Sequence, residues 1–422
     1  MLSLKSKCLA LMGGVLLSAS AVLAQDNAAL VNALIRKGVL TNQEAEDIRA
    51  ELILENAAIS AATSQSPNLA RFAIGGRVQF QYAHLATDIA GTSADPAAVN
   101  HLFLRRVRLS FRATFKDGWS SHVNYDLGNA NFDVAQIEKI FSPRLKVQAG
   151  YWKAPIGYEE YFTSSGELKA IERSTINRYF VESNNGRRLG AGKYRNGVWL
   201  LGNNGGNLSW DFAVTNAEAQ GVVVNDAIAQ GSAANNQLAY WGSVAYQRPF
   251  ADAAGRLKLG ATYGYLPDQG GRVVGTGSDL AVWSAYFDWR YQQVSFVGEY
   301  MGSDNERGAS AIRDAKSNGW SLMTTFRLTP KLEPVLRYSM IDSDGRGVQL
   351  GDGIRSAASG GTHDKMHEWF LGTNWYLLGD ETKHDVRLQA GYILGESNGI
   401  PITGAPAKAT VRGFRSQLQL SF

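Results

Sequence analysis

The sequence predicts an all-β fold, a 16-stranded antiparallel transmembrane β-barrel with a short N-terminal helical periplasmic segment. Three observations point to it. From Arg71 onward apolar and polar residues alternate with period two. Short and long connections follow one another between the alternating segments. The composition joins 45 Gly, 10 Trp, 17 Tyr and 17 Phe to only 19% charged residues. Past residue 24 no stretch approaches 18 consecutive apolar residues, which excludes helical membrane spans. A barrel escapes that test because it spreads its apolar residues over alternate positions. The net charge of +4 is too small and too scattered to call for a nucleic-acid partner.

Residues 1–24 read as a secretory signal peptide. Lys5 and Lys7 form a basic start, 8–24 is uncharged and largely apolar, and Val22-Leu23-Ala24 offers a cleavage site before Gln25-Asp26. Cleavage there removes Cys8, the single cysteine, so no disulfide can staple the mature chain. Cys8 precedes the apolar run instead of ending it, which argues against a lipid anchor. Residues 25–68 form the periplasmic prefix and its linker. Its helical stretch is 28–58, where Gly38 ends one helix and Thr41 with Glu44 makes a capping box for the next.

The barrel domain is 69–422. Its expected strands are 71–85, 101–115, 119–129, 132–141, 145–153, 187–201, 207–216, 239–249, 256–266, 279–291, 293–303, 317–328, 331–341, 366–378, 384–395 and 409–422. Within them Leu257, Leu259, Ala261 and Tyr263 alternate with Lys258, Gly260 and Thr262, as an apolar outside and a wet inside require. Lys116-Asp117-Gly118, Ser142-Pro143-Arg144, Gln292 and Thr329-Pro330 serve as short periplasmic turns, opposite long loops such as 154–186 and 342–365. An even strand number returns both ends to the periplasmic side. The last segment runs Leu418, Leu420, Phe422 against Gln417, Gln419, Ser421. A strand ending at Phe422 resembles the one that the barrel assembly machinery reads in outer-membrane proteins. The expected location is therefore the bacterial outer membrane, with lipid as a partner.

The candidate site lies in the lumen. With Phe103, Val107, Leu109 and Phe111 toward lipid, Arg106, Arg108 and Arg112 face inward, and Arg105, on the outward parity, can snorkel or twist in. Guanidiniums along a wet wall make a ladder for anions, which they bind bidentately. The competing reading pairs them with acidic neighbours such as Asp126 and Glu138. The longest internal loop, 154–186, is expected to fold inward and form the constriction. From Lys153 to Arg195 eight basic residues, among them Arg173, Arg187 and Arg188, face five acidic ones. That mixture predicts a transverse field with a surplus favouring small anionic solutes.

Several segments resemble the phosphate-selective porins of the O and P type. They are 34–45, Phe103-Leu104-Arg105-Arg106-Val107-Arg108, Gly150 through Gly157, Glu172-Arg173, Arg187-Arg188-Leu189-Gly190 and Gly372 through Tyr376. The resemblance covers nearly the whole mature chain. It implies a homotrimer of sixteen-stranded barrels, an anion-holding role for Arg105 and Arg106, and a matching lysine position for Lys153. Inward Gln79, Gln81, Asn124, Gln389 and Gln417 dilute the charge and set this chain apart from a strict phosphate filter.

Catalytic chemistry finds little support. There is no Gly-x-Ser-x-Gly elbow. His363 and His367 are spaced like a metal pair, but Asp364-Lys365-Met366 between them lacks the glutamate of a zinc protease helix. The leading expectation is a non-enzymatic porin that needs no cofactor. The alternatives are a barrel enzyme of lipase or protease type, using His122, a serine and Asp126, and a non-conducting barrel tethered to the cell wall through 28–58.

Overall fold

The computed structural model describes residues 66–91, 95–217, 237–250, 254–269, 277–402 and 406–422. The expected signal peptide (1–24) and helical stretch (28–58) lie outside these residues. Contacts divide the chain into two units, Met1–Ile74 with Ala113–Lys116, and Gly75–Arg112 with Asp117–Phe422. In the first unit, the start of one strand lies beside the end of the next, and the Lys116 N–H donates to Asn68 O at 2.9 Å.

The strands are β1 (Leu69–Ile89), β2 (Val99–Phe115), β3 (Trp119–Asp126), β4 (Asn131–Ser142), β5 (Leu145–Lys153), β6 (Tyr194–Asn203), β7 (Leu208–Asn216), β8 (Leu238–Pro249), β9 (Gly255–Gln269), β10 (Ser278–Tyr291), β11 (Val294–Ser310), β12 (Arg313–Ala315), β13 (Asn318–Phe326), β14 (Leu332–Asp342), β15 (His363–Gly379), β16 (His384–Pro401) and β17 (Ala409–Ser421). The three-residue β12 only extends the hairpin between β11 and β13. The other sixteen make a closed antiparallel barrel, sealed where β17 pairs with β1 from Arg77↔Ser421 to Ile89↔Ala409. Closure matters because lipid offers no partner to an open edge. All neighbours can be antiparallel around the ring only because the number is even.

Each expected segment has its strand, and one start needs correcting. The segment expected at 187–201 begins at Tyr194. Residues before it are held elsewhere: the Leu189 and Ala191 N–H groups donate to Tyr179 O and Phe180 O, both at 2.9 Å. Their hydrogen-bonding capacity goes to the preceding loop, so the ladder cannot begin there. Several strands also run further than expected, with β16 reaching Pro401 and β11 reaching Ser310. Alternation fades in those extensions because lipid no longer selects one face.

The two faces differ as the period requires. Leu259, Tyr263, Tyr300, Trp369, Leu418 and Leu420 are exposed outward. Inward, an amide ladder crosses four strands at one level. Gln81 Nε2 donates to Gln417 Oε1 at 2.7 Å, Gln417 to Gln389 at 2.8 Å, and Gln389 to Asn374 at 2.6 Å. Gln79 donates to Gln419 at 2.7 Å one step along. Gly150 shows what tight pairing demands. Its φ is +133°, and a Cβ there would lie 2.2 Å from Ala135 O on β4.

Candidate functional site: the lumen and its internal loop

The chain leaves β5 at Lys153 and turns into the barrel. It forms a π-helical turn, Tyr158–Phe162, and then the helix α1 (Thr175–Phe180). Ser174 caps α1, accepting from the Asn177 N–H at 3.4 Å, and the Glu159 carboxylate accepts from both the Ser174 N–H and Oγ at 2.6 Å. Ile171, Ile176, Phe180 and Val181 are buried together with Leu350, which opens a second short helix, α2 (Leu350–Gly353), and Ile354, which caps it. A loop inside a polar lumen therefore carries its own apolar core.

Its backbone must also find donors. The wall of β16, β17 and β1 supplies them. Arg387 donates to Leu168 O at 3.0 Å and Gly166 O at 2.9 Å, and Gln389 to Leu168 O at 3.1 Å. Gln419 donates to Gly166 O and Gln79 to Ser165 O, each at 3.1 Å. The inward glutamines thus clamp the loop as well as lining the wall.

Arg105 and Arg106 are adjacent in β2 yet both reach lumen groups. Arg105 binds Glu172 of the loop bidentately, at 2.6 and 3.1 Å, while Arg106 donates to Gln79 Oε1 at 2.8 Å. Regular strands send neighbours to opposite faces. Here alternation slips by one residue, and exposed Leu102 and Leu104 hold the outer position above the slip where Phe103 was expected. Arg108 forms ion pairs with Asp133 at 2.5 Å and Asp126 at 3.6 Å, and donates to Ser165 Oγ at 2.9 Å. Arg112 is exposed toward the periplasmic end of β2 and has no ion pair among the described residues. Arg105 is paired with a loop glutamate and Arg108 with Asp133 and Asp126, whereas Arg106 donates to an amide and has no ion pair among the described residues.

Lys153 pairs with Glu160 at 2.9 Å, and Arg173 with the other oxygen of Glu160 at 2.6 Å. Arg187 binds Asp352 at 2.8 Å, and Arg188 lies 3.9 Å from both Glu182 and Asp352. These two lie beyond α1, on the strap that leads to β6, and join it to the loop carrying α2.

Sequence reasoning missed several inward cations, four of which bear on the loop and its neighbours. Arg77 donates to Ser165 Oγ at 2.8 Å, Arg355 pairs with Glu172 and Glu182, Arg415 lies 3.6 Å from Glu172, and Arg337 pairs with Glu368 at 3.0 Å. A signal existed for two of them: Arg77 shares parity with Gln79, and Arg415 with Gln417. Glu172 is thereby met by three guanidiniums. Burial alone would raise its pKa, but Arg105 and Arg355 hold it well below the usual carboxylate range. Glu182 is likewise opposed by burial and overruled by Arg178 and Arg355, which bring it to about 2.

Beneath the loop a cavity of about 550 Å³ opens between periplasmic turns, with Gln292, Gln293, Glu381 and Thr382 on its rim. Ser110 Oγ and His122 Nε2 stand 2.9 Å apart, but Asp126 does not join them, since it accepts from the Gly128 N–H and Asn129 Nδ2 and faces Arg108.

A closed sixteen-stranded antiparallel barrel, apolar outside and charged within, with a loop folded into its lumen, defines an outer-membrane porin, a water-filled diffusion channel for small hydrophilic solutes. The chain belongs to the phosphate-selective porin O and P family, whose pattern matches residues 72–422. Its fold is similar to that of an anion-selective porin from Comamonas acidovorans (15% identity, 83% of this chain and 99% of that one, TM-score 0.58). It is also similar to the outer membrane channel DcaP of Acinetobacter baumannii (12% identity, 83% and 97%, TM-score 0.53). A third solved structure of like fold is Salmonella typhi OmpF with daunomycin (12% identity, 83% and 97%, TM-score 0.52). No curated protein sequence matches the chain.

Proposed function

We propose that this porin prefers anions, and that Arg106 and Arg108, with Arg77, form the anion-holding part of its constriction. One observation carries the reading. The Ser165 hydroxyl accepts from Arg77 at 2.8 Å and from Arg108 at 2.9 Å, beside the amide-bound Arg106. A permeating oxyanion can take the acceptor role that Ser165 fills at rest. Arg105, Lys153 and Arg173 then serve as loop anchors with a net positive field, Arg187 and Arg188 flank the outer approach, and Arg112 lies toward the periplasmic exit. The test is phosphate block of chloride conductance, which should weaken in Arg106→Ala and Arg108→Ala; unchanged block in both would remove the assignment.

The organisation is proposed on the same footing: export after cleavage at Ala24, a periplasmic prefix over 25–68, a homotrimer, and recognition of Phe422 by the assembly machinery. Phe422 pairs through its backbone with Gly76, at 3.1 and 2.9 Å, and leaves its ring largely exposed. The protein acts by passage alone; the engagement of Asp126 away from His122 supports that. Hydrolysis of lipid or peptide by purified trimers would overturn it.

A further inference from the structure

The cavity beneath the loop contains a cation that lies apart from the Ser165 cluster. Lys258 of β9 points into it, with its ammonium 4.4 Å from the ring centre of Phe162, 5.7 Å from that of Tyr286 and 5.8 Å from that of Tyr158. Ring faces attract an ammonium but do not neutralise it. The carboxylate opposite in register, Asp288, is committed elsewhere. Its oxygens accept from Arg290 at 2.9 and 3.1 Å, from Arg256 at 3.2 Å and from the Tyr158 hydroxyl at 2.8 Å. Asp211, the next carboxylate along, accepts from Ser243 at 3.0 Å. Lys258 forms no ion pair among the described residues.

The wall beside it is unusual for a wet lumen. Register places Lys258, Asp288, Val297 and Met323 in one lateral row across β9, β10, β11 and β13. Val297 and Met323, paired with each other, both line the cavity. Phe162 of the loop lines it too. An inorganic anion needs only the charge. Apolar side chains left facing water stabilise only a ligand that brings apolar surface to them.

We propose that this wall is a binding subsite for small organic carboxylates with an apolar body. The carboxylate pairs with Lys258 while Arg256 and Arg290 supply the field, and the body lies against Phe162, Val297 and Met323. The inference rests on the channel reading above and adds a ligand class distinct from inorganic oxyanions.

The experiment measures block of single-channel chloride conductance by benzoate and by acetate, which share a charge and differ in apolar surface. Wild-type trimers should be blocked by benzoate at several-fold lower concentration than by acetate. Met323→Gln should remove that advantage and leave acetate block as it was. Lys258→Met should weaken both, and Lys258→Arg should restore both. Equal block by the two acids in the wild type, or an unaltered benzoate advantage in Met323→Gln, would overturn the subsite. Trimers that insert and never conduct would instead overturn the channel reading beneath it.

Discussion

Arg105 grips Glu172 with two hydrogen bonds, while Arg106, the next residue, turns to Gln79. One arginine holds the internal loop, and its neighbour has no carboxylate partner among the described residues. The division assigns them opposite tasks, although they are adjacent members of one sequence motif.

Replacing Arg106 by Ala should therefore weaken phosphate block without loosening the loop. A charge-assisted contact contributes about 1.5–3 kcal/mol, so the blocking concentration should rise roughly tenfold or more. Arg105→Ala should act differently, raising open-channel noise because Glu172 loses its bidentate partner. Noise analysis of the two variants side by side checks the division.

Glu172→Gln should increase anion preference. It leaves Arg105, Arg355 and Arg415 without their shared countercharge. Breaking a buried pair costs about 3–5 kcal/mol, so the loop should also melt more easily. Reversal potential and thermal dissociation of the folded barrel read the two effects separately.

The loop should withstand acid. Glu182 is held at about 2 against an ordinary 4.5, burial opposing and Arg178 and Arg355 prevailing. A carboxylate depressed by folding contributes its full stabilisation above the ordinary value and loses it as pH falls through the depressed one. Glu172, also depressed, behaves alike. Channel noise should stay flat from neutral pH to about 4.5 and rise only as pH approaches 2. A rise centred on the ordinary glutamate range would contradict the pairing.

Gly150→Ala should impair folding. The new Cβ would lie 2.2 Å from Ala135 O, in a backbone conformation at φ +133° that side chains rarely adopt. Less heat-modifiable barrel on gels, at equal expression, is the expected result.

The strands were legible because lipid on one side and water on the other impose period two, and only there. The first seven residues of the expected sixth segment misled because Leu189, Ala191 and their neighbours alternate acceptably while their backbone bonds to the carbonyls of α1. The path of 154–186 was foreseen only as an inward fold. Its clamps are arginine and glutamine donors on backbone carbonyls such as Gly166 O and Leu168 O, and every residue has a carbonyl, so no pattern announces the choice. Arg387 and Arg415 carried a usable signal, lying two residues before Gln389 and Gln417 on the inward parity. The inward turn of Arg105 was allowed for by the sequence, but its cause was not visible there, since what draws both side chains inward is Glu172, far along the chain, and Gln79 on the neighbouring β1.

The guanidiniums gathered around Ser165, those of Arg77, Arg106 and Arg108, are proposed to make this porin prefer anions. Reversal potential in planar bilayers under a KCl gradient decides the question. The expected potential has the sign set by chloride and is reduced in Arg106→Ala. A potential of the sign set by potassium would contradict it.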